Sequence, residues 1–500
     1  MLAKVFSAAI IGVEAYLVEV EVDISQGLPG FAIVGLPQGA LKESKERLRA
    51  AIRNAGFSFP LQKITANLAP ADLKKEGSAF DLPLAMAILS AARIIPQEQL
   101  RGYLFYGELS LDGKLKPVSG VLPVALLARR KHLALVCPEK NLGEAALIKG
   151  LKILPVSHLK EAAFNLGQER EFCLEQAAES SAPVPDLSEV AGQEHAKRAL
   201  EIAAAGGHNL LFIGPPGAGK TMLARRFPGI LPPLSYEEAL ETSRIYSVLG
   251  LLDPERPLLK ERPFRAPHHT ISDAGLIGGG NPPKPGEISL AHNGGLFLDE
   301  LPEFRRNALE ALREPLEAGE ITVSRAQMSI TYPAKFILLA AMNPCRCGYY
   351  GDPKRPCQCS PQEVRRYRQK LSGPLLDRID LQVEVAAVDY EDLARERPAE
   401  PSAKVRERVL LARRRQKERY GREILNAYLG PAELKKFCHL GPEERRLLER
   451  AAQKLNLSAR AFHRVLKIAR TIADLSHEEK IKTPHLLEAL QYRVFDRLSW

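Results

Sequence analysis

An apolar strand, a glycine-rich turn and a helix start, in immediate succession, constrain this chain more than any other stretch. Leu210-Leu211-Phe212-Ile213 runs into Gly214-Pro215-Pro216-Gly217-Ala218-Gly219-Lys220-Thr221, and then into the helix-forming Met222-Leu223-Ala224-Arg225. The middle segment fits G-x-x-x-x-G-K-[ST] in the strand-then-helix context that this motif requires. Glycines let backbone N–H groups turn inward around phosphate oxygens with no Cβ in the way. The helix start adds the positive end of a dipole. Lys220 supplies a point charge for the outer phosphates, and the Thr221 hydroxyl can ligate Mg²⁺. The expected nucleotide contacts are therefore Gly214, Pro215, Pro216, Gly217, Ala218, Gly219, Lys220 and Thr221.

Three later segments complete a hydrolytic set. Gly294-Gly295-Leu296-Phe297-Leu298-Asp299-Glu300 reads as an apolar strand ending in two acids. Strand C-termini meet the ligand crevice of an open α/β sheet, so Asp299 is expected to hold Mg²⁺ and Glu300 to polarise a water. A solvated charge pair is the plainer alternative, and the preceding glycine-rich loop argues against it. The strand Phe336–Met342 ends at Asn343, whose amide can orient that water or simply form the turn before Pro344. Arg378, in Pro374-Leu375-Leu376-Asp377-Arg378-Ile379-Asp380, is a candidate arginine finger; on spacing alone it could equally pair with Asp377 or Asp380.

Five hundred residues exceed one core and favour two to four domains. With 45% hydrophobic and 26% charged residues the composition is that of a globular protein. Residues 1–172 mix strand patterns (15–22, 102–109, 134–136) with helix patterns (39–54, 79–92). Residues 173–187, small and proline-bearing, read as a linker. Residues 188–389 alternate short apolar strands with amphipathic helices, the pattern of a mostly parallel α/β sheet, and 390–500 read as helical. The apolar start at residues 7–13 is broken by Glu14 and Glu19 and passes into a period-two alternation, a strand rather than a targeting segment. No apolar run reaches the ~18 residues of a membrane helix, so a cytoplasmic protein with no membrane partner is expected. The net charge of +10 permits a polyanionic partner without requiring one.

Of seven cysteines, Cys345, Cys347, Cys357 and Cys359 crowd together. Four thiolates suit tetrahedral Zn²⁺, but C-x-C is tighter than the usual C-x₂₋₄-C; zinc and a set of reduced thiols both remain open. Cys137, Cys173 and Cys438 lack ligand spacing. Adjacent His268 and His269 are read as packing groups or a nucleotide-site contact rather than metal ligands. The basic stretch 404–422 is either a solvated helix face or a contact for DNA or a second subunit, and 365–370 interleaves Tyr367 among arginines.

In order along the chain, the blocks 186–193, 264–270, 278–282, 295–304, 343–350 and 372–380 resemble the magnesium-chelatase-like AAA+ ATPases of the ComM/YifB family, over essentially the whole length. The resemblance implies an α/β AAA+ P-loop ATPase core with a C-terminal helical lid and an N-terminal Lon-protease-like α+β domain. It implies that Asn343 is sensor 1 and that Arg378 acts on a neighbouring subunit's ATP. Arg460 is the implied sensor 2 contact, with Arg464 its rival one helical turn on. An inserted segment at 267–286 and a hairpin pairing 319–325 with 328–332 are implied to line a central pore. The residues aligning with a Lon-type Ser–Lys dyad are Ala79 and Leu122, neither capable of the chemistry.

The implied function is a ring-forming, hexameric, ATP-driven DNA motor, a branch-migration helicase for recombination intermediates in natural transformation. Its cofactors are ATP and Mg²⁺, with Zn²⁺ open. The competing expectation is a magnesium-chelatase-type motor that drives metal insertion through partner subunits. An ATP-dependent protease is disfavoured by Ala79 and Leu122.

Overall fold

The period-two alternation expected at 15–22 forms the strand Glu14–Ser25, which pairs antiparallel along its length with Leu2–Ile11. In the computed structural model, the described residues are 1–35, 38–71, 73, 75, 77–172, 184–325, 328–387, 400–455 and 457–493. The expected linker therefore lies mostly outside the described residues, as does Cys173. Two compact units result: Met1–Glu179 with Tyr236–Lys260, and Ser180–Ser235 with Glu261–Trp500.

The first unit is built on a mixed eight-stranded sheet. Its order is Arg170–Glu171, Lys152–Val156, Ala134–Pro138, Tyr103–Phe105, Leu2–Ile11, Glu14–Ser25, Lys63–Ala69 and Gly30–Val34. The expected strand at 102–109 is thus two pieces, Tyr103–Phe105 and Glu108–Leu109, the second paired with Leu115–Lys116. The helix Asp81–Ala91 is buried on every side, as its near-continuous apolar sequence requires. Its one acid, Asp81, is neutralised by Arg47, whose Nε donates at 2.6 Å. Tyr236–Val248, which follows the glycine-rich motif in the chain, packs into this unit. Its Tyr236 hydroxyl donates to Leu147 O at 2.6 Å, and Ser247 bonds Glu144.

The second unit carries a five-stranded, all-parallel sheet ordered Phe264–Arg265, Gly294–Leu298, Phe336–Met342, Leu210–Ile213 and Leu381–Glu384. The glycine-motif strand is second from one edge, flanked by Phe336–Met342 and Leu381–Glu384. Register Ile213↔Met342 brings Gly214 level with Asn343. Glycine at 294 is sterically required, since a Cβ there would lie 1.9 Å from Pro263 O.

Helices Ser402–Tyr420, Pro431–Phe437, Pro442–Lys454, Ala459–Leu475 and Thr483–Gln491 follow, with no strand among the described residues. A buried polar network ties them to the sheet. His208 Nε2 meets Thr471 Oγ1 at 2.8 Å, and Asn426 Nδ2 donates to Thr471 Oγ1 at 3.0 Å and Asp474 Oδ2 at 2.9 Å. In the basic stretch 404–422 three cations are bound within the protein, while Lys404, Arg406 and Arg414 are exposed. Arg408 pairs with Glu201 and Glu400, Arg413 donates to Ala204 O, and Arg419 pairs with Asp474. Among the described residues, no helix is long and apolar enough to cross a membrane.

Two stability predictions follow from these buried charges. Asp474 is 0% exposed and neutralises Arg470, itself 1% exposed. Asp474→Ala strands that guanidinium, and urea unfolding is expected to show a loss of about 3–5 kcal/mol. Asp380 behaves differently. Burial alone raises its pKa, but the His208 ring and the cations Arg464 and Lys467 outweigh it and hold the carboxyl at about 2. Its folded value lies below the ordinary 3.8, so its contribution is complete above pH 4 and lost as pH falls from 4 toward 2. Acid titration of wild type against Asp380→Asn should differ over that window by about 2 kcal/mol.

Candidate active site

The loop 214–219 leaves its strand under a steric restriction: a Cβ on Gly214 would sit 2.1 Å from Val385 O. Gly217 and Gly219 take φ +80° and +86° with open space on their Cβ side, a backbone concavity facing outward. Helix Lys220–Arg225 starts immediately after. The Lys220 side chain is drawn back into the loop, where Nζ donates to Gly214 O (2.7 Å), Pro215 O (2.9 Å) and Asn343 Oδ1 (3.1 Å). Burial lowers its pKa, and Asp299 and Glu300 oppose that shift. Asn343 is thus a direct neighbour of the lysine, not merely a turn residue before Pro344.

The two acids at the end of Gly294–Leu298 are treated differently. Asp299 Oδ2 accepts from Thr221 Oγ1 at 2.6 Å and its Oδ1 accepts from the Glu300 backbone N–H at 3.0 Å. This pair of oxygen donors, one anionic, fits a hard divalent cation. Glu300 sits at φ +53°, the left-handed region, at a cost of about 1–3 kcal/mol for a non-glycine residue. The Glu300 side chain is 56% exposed. Its one ion-pair partner among the described residues is His269, with Nδ1 to Oε2 at 3.1 Å. His268 instead meets Thr270 Oγ1 at 2.9 Å, so the two histidines divide between local packing and the acid. Of the two roles the sequence left open for these histidines, packing or a site contact, His269 takes the second, because residues 264–270 return to the sheet edge beside Glu300.

Gln193, the last residue of the block 186–193, was given no role in the sequence reading. Its amide donates to Ala386 O at 2.7 Å and Ala218 O at 3.4 Å, bracing the phosphate loop from behind. Asp186 in the same block caps the turn Leu187–Glu189, and its carbonyl accepts from Arg226 Nε at 2.9 Å.

Arg378 pairs with neither Asp377 nor Asp380. Its guanidinium binds Glu317 and Pro374 O, while Asp380 is taken by His208 and Arg464. Arg464 is spent on the sheet edge, at 3.6 Å from Asp380 and 3.4 Å from Ile379 O. Arg460 is exposed. Glu317 is held below the usual carboxylate range first by Arg378 and further by Arg460 and Arg313, so Arg378 and Arg460 share one anionic neighbour.

Beyond Asn343 the chain enters the cysteine loop. Cys345 is buried and Cys347, Cys357 and Cys359 are half-buried, all unbridged. Their Sγ atoms lie within 4.8 Å of one another, so the tight C-x-C spacing does not keep them apart. Backbone N–H groups of Tyr349 and Gln358 pull the Cys347 thiol down to about 6. The donor set is chemically that of a tetrathiolate zinc site.

A P-loop beside the polar end of one parallel strand and the acidic end of the next, followed by a helical region, defines an AAA+-type ATPase core. Comparison with known proteins narrows the class. Residues 186–393 match the family model of magnesium chelatase subunit ChlI, residues 20–141 a second model of that subunit, and residues 399–493 the model of its C-terminal region. The chain is 49% identical over 507 residues to the competence protein ComM of Haemophilus influenzae, covering 99% of this chain and 98% of that protein. It is 48% identical to YifB of Escherichia coli K12, with 99% and 98% covered. A magnesium-chelatase 38 kDa subunit of Rhodobacter capsulatus is 28% identical over 181 residues, 32% of this chain and 51% of that protein. This chain belongs to the ComM/YifB family of magnesium-chelatase-like AAA+ ATPases, which implies ATP and Mg²⁺ as its cofactors.

The open concavity at Gly217 and Gly219 and the Thr221–Asp299 oxygen pair fit those cofactors. ATP brings the phosphoanhydride; the chain brings position and charge. Gly214→Ala tests the loop. The added methyl is expected to cost about 1–3 kcal/mol by overpacking. It should also abolish binding of a fluorescent ADP analogue while circular dichroism stays native.

Proposed function

We propose that this protein is an ATP-driven, ring-forming DNA motor, hexameric and cytoplasmic, that moves branch points in recombination intermediates during natural transformation. The observation that carries the reading beyond ATP hydrolysis is a basic-tipped hairpin. Glu320–Arg325 pairs with Met328–Pro333, stitched by Ser324–Ser329 (2.8 Å) and Thr322–Thr331 (3.2 Å). It packs against the inserted segment: Tyr332 donates to Pro283 O at 2.7 Å, and a Cβ on Gly279 would lie 3.0 Å from Arg325 Nη2. Arg325 is exposed near the tip, a cation suited to phosphates in a pore. Overall similarity to a protein named for competence supports DNA as the partner.

In this reading Lys220 and residues 214–219 bind the phosphates, and Thr221 with Asp299 holds Mg²⁺. Glu300 takes the proton of the attacking water, and Asn343 orients that water. Arg378 has its described contacts at Glu317 and Pro374, away from its own P-loop. It therefore acts on the neighbouring subunit's nucleotide, with exposed Arg460 beside it as the sensor 2 contact. The Cys345, Cys347, Cys357 and Cys359 loop holds Zn²⁺. The first unit is a Lon-like domain without proteolysis, since the dyad positions carry Ala79 and Leu122, 8% and 0% exposed. The domain scheme along the chain is 1–172, a 173–187 linker, 188–389 and a 390–500 lid, with 236–260 of the third segment packed into the first unit. The alternative, a chelatase motor, has in its favour the partial similarity to the 38 kDa subunit; nucleotide-dependent binding to a large chelatase subunit would establish it.

Branch migration on a four-way junction, measured beside ATP turnover, tests the proposal. Glu300→Gln is expected to lower turnover about 10²–10⁴-fold, and Arg378→Ala about 10³-fold or more. Lys220→Ala should abolish nucleotide binding and branch movement together. Arg325→Ala should keep basal turnover while losing DNA affinity. Wild type that hydrolyses ATP yet neither binds nor moves branched DNA would overturn the motor reading.

A further inference from the structure

The cysteine loop is not a free appendage of the ATPase core. It leaves the sheet at Asn343, the residue that accepts from Lys220 at 3.1 Å, and Cys345 follows two positions later. It rejoins at helix Pro361–Arg368, which starts directly after Cys359 with Ser360 and Glu363 forming a capping box. That helix reaches back to the loop's start. Arg368 Nε donates to Pro344 O at 3.2 Å. Between the cysteine pairs, Gly348 turns at φ +90°, so close to the P-loop that a Cβ would lie 2.6 Å from Pro216 Cδ. The loop thus touches the phosphate site at Asn343 and at Pro216.

The sulfur geometry is that of one metal centre. Cys345 Sγ lies 3.3 Å from Cys347 Sγ and 3.7 Å from Cys357 Sγ, and Cys347 Sγ lies 3.5 Å from Cys357 Sγ. Four sulfurs at about 2.3 Å from zinc in a tetrahedron stand about 3.8 Å apart. The Cys359 backbone N–H points at Cys357 Sγ (3.4 Å), and those of Tyr349 and Gln358 point at Cys347, the N–H···S bonds that orient thiolate ligands. Few apolar groups hold this loop: Tyr349 and Tyr350 lie under Arg355 and Arg368 at the surface, leaving Cys345 as its one buried cysteine. Ordering such a segment needs a compensating bond, and a metal supplies it.

We propose that Cys345, Cys347, Cys357 and Cys359 bind one zinc ion that positions Asn343 and Pro216, so that metal occupancy sets nucleotide affinity. This rests on the zinc reading above and adds its purpose. The ion closes the loop, the closed loop presses Gly348 on Pro216, and the same closure fixes the backbone from which the Asn343 amide reaches Lys220. Asn343 and Pro216 are the groups positioned; the cysteines act through them.

The test uses the full-length protein. Elemental analysis should find one zinc per chain, and cobalt exchange should give the thiolate-to-metal and d–d absorption of a tetrahedral S₄ site. Cys357→Ser and the Cys357→Ser/Cys359→Ser pair should lose the metal and weaken binding of a fluorescent ADP analogue about tenfold or more. Gly348→Ala should keep the metal and weaken ADP to a similar degree. If the serine variants fail to fold, chelator treatment of wild type followed by cobalt reconstitution gives the same comparison on one chain. Absence of stoichiometric metal and of the cobalt spectrum defeats the zinc reading itself. Metal lost with ADP affinity unchanged leaves zinc standing and overturns the coupling.

Discussion

The ammonium of Lys220 needs neighbours, and the catalytic end of the second unit is arranged by supplying them. It is 9% exposed and satisfied by two loop carbonyls and the Asn343 amide oxygen. A buried cation without such partners shifts its pKa or distorts its surroundings. Those partners come from the loop after one strand and from the end of the next. Only a parallel pair in the register Ile213↔Met342 brings them together.

A similar economy separates the two acids. Thr221 and the Glu300 N–H hold Asp299 in place, while Glu300, at a left-handed turn, lies to the exposed side and meets His269. Adjacent carboxylates otherwise repel and share one environment. Here one is bonded to Thr221 and the Glu300 backbone, and the other is largely exposed and paired with His269.

Much of this was legible from local pattern. The phosphate loop, the acidic strand end, the hairpin 320–333 and the helical C-terminal region are all short-range features, each written within a few residues. Misreadings and silences came from long-range pairings. Arg378 had acidic neighbours on both sides in sequence, yet its partner is Glu317, because the helix Arg313–Ala318 packs beside it. Among the cations of 404–422, Lys404, Arg406 and Arg414 do lie exposed, but Arg408, Arg413 and Arg419 are spent on Glu201, Ala204 and Asp474 from other helices. Nothing in the pattern of Tyr236–Val248 revealed that it packs with the first unit.

The sequence by itself determined which chemistry is available: a phosphate-binding turn, two acids, an amide, an arginine and four thiols. Glycine positions and apolar runs act through steric and burial effects that reach only a few residues. Tertiary structure decided which of these groups meet. Strand order brought Asn343 to Lys220, a returning loop brought His269 to Glu300, and the path of the 343–360 segment gathered four sulfurs and set Gly348 beside Pro216. Those meetings depend on register and packing between segments far apart in the chain, where no local propensity selects a partner.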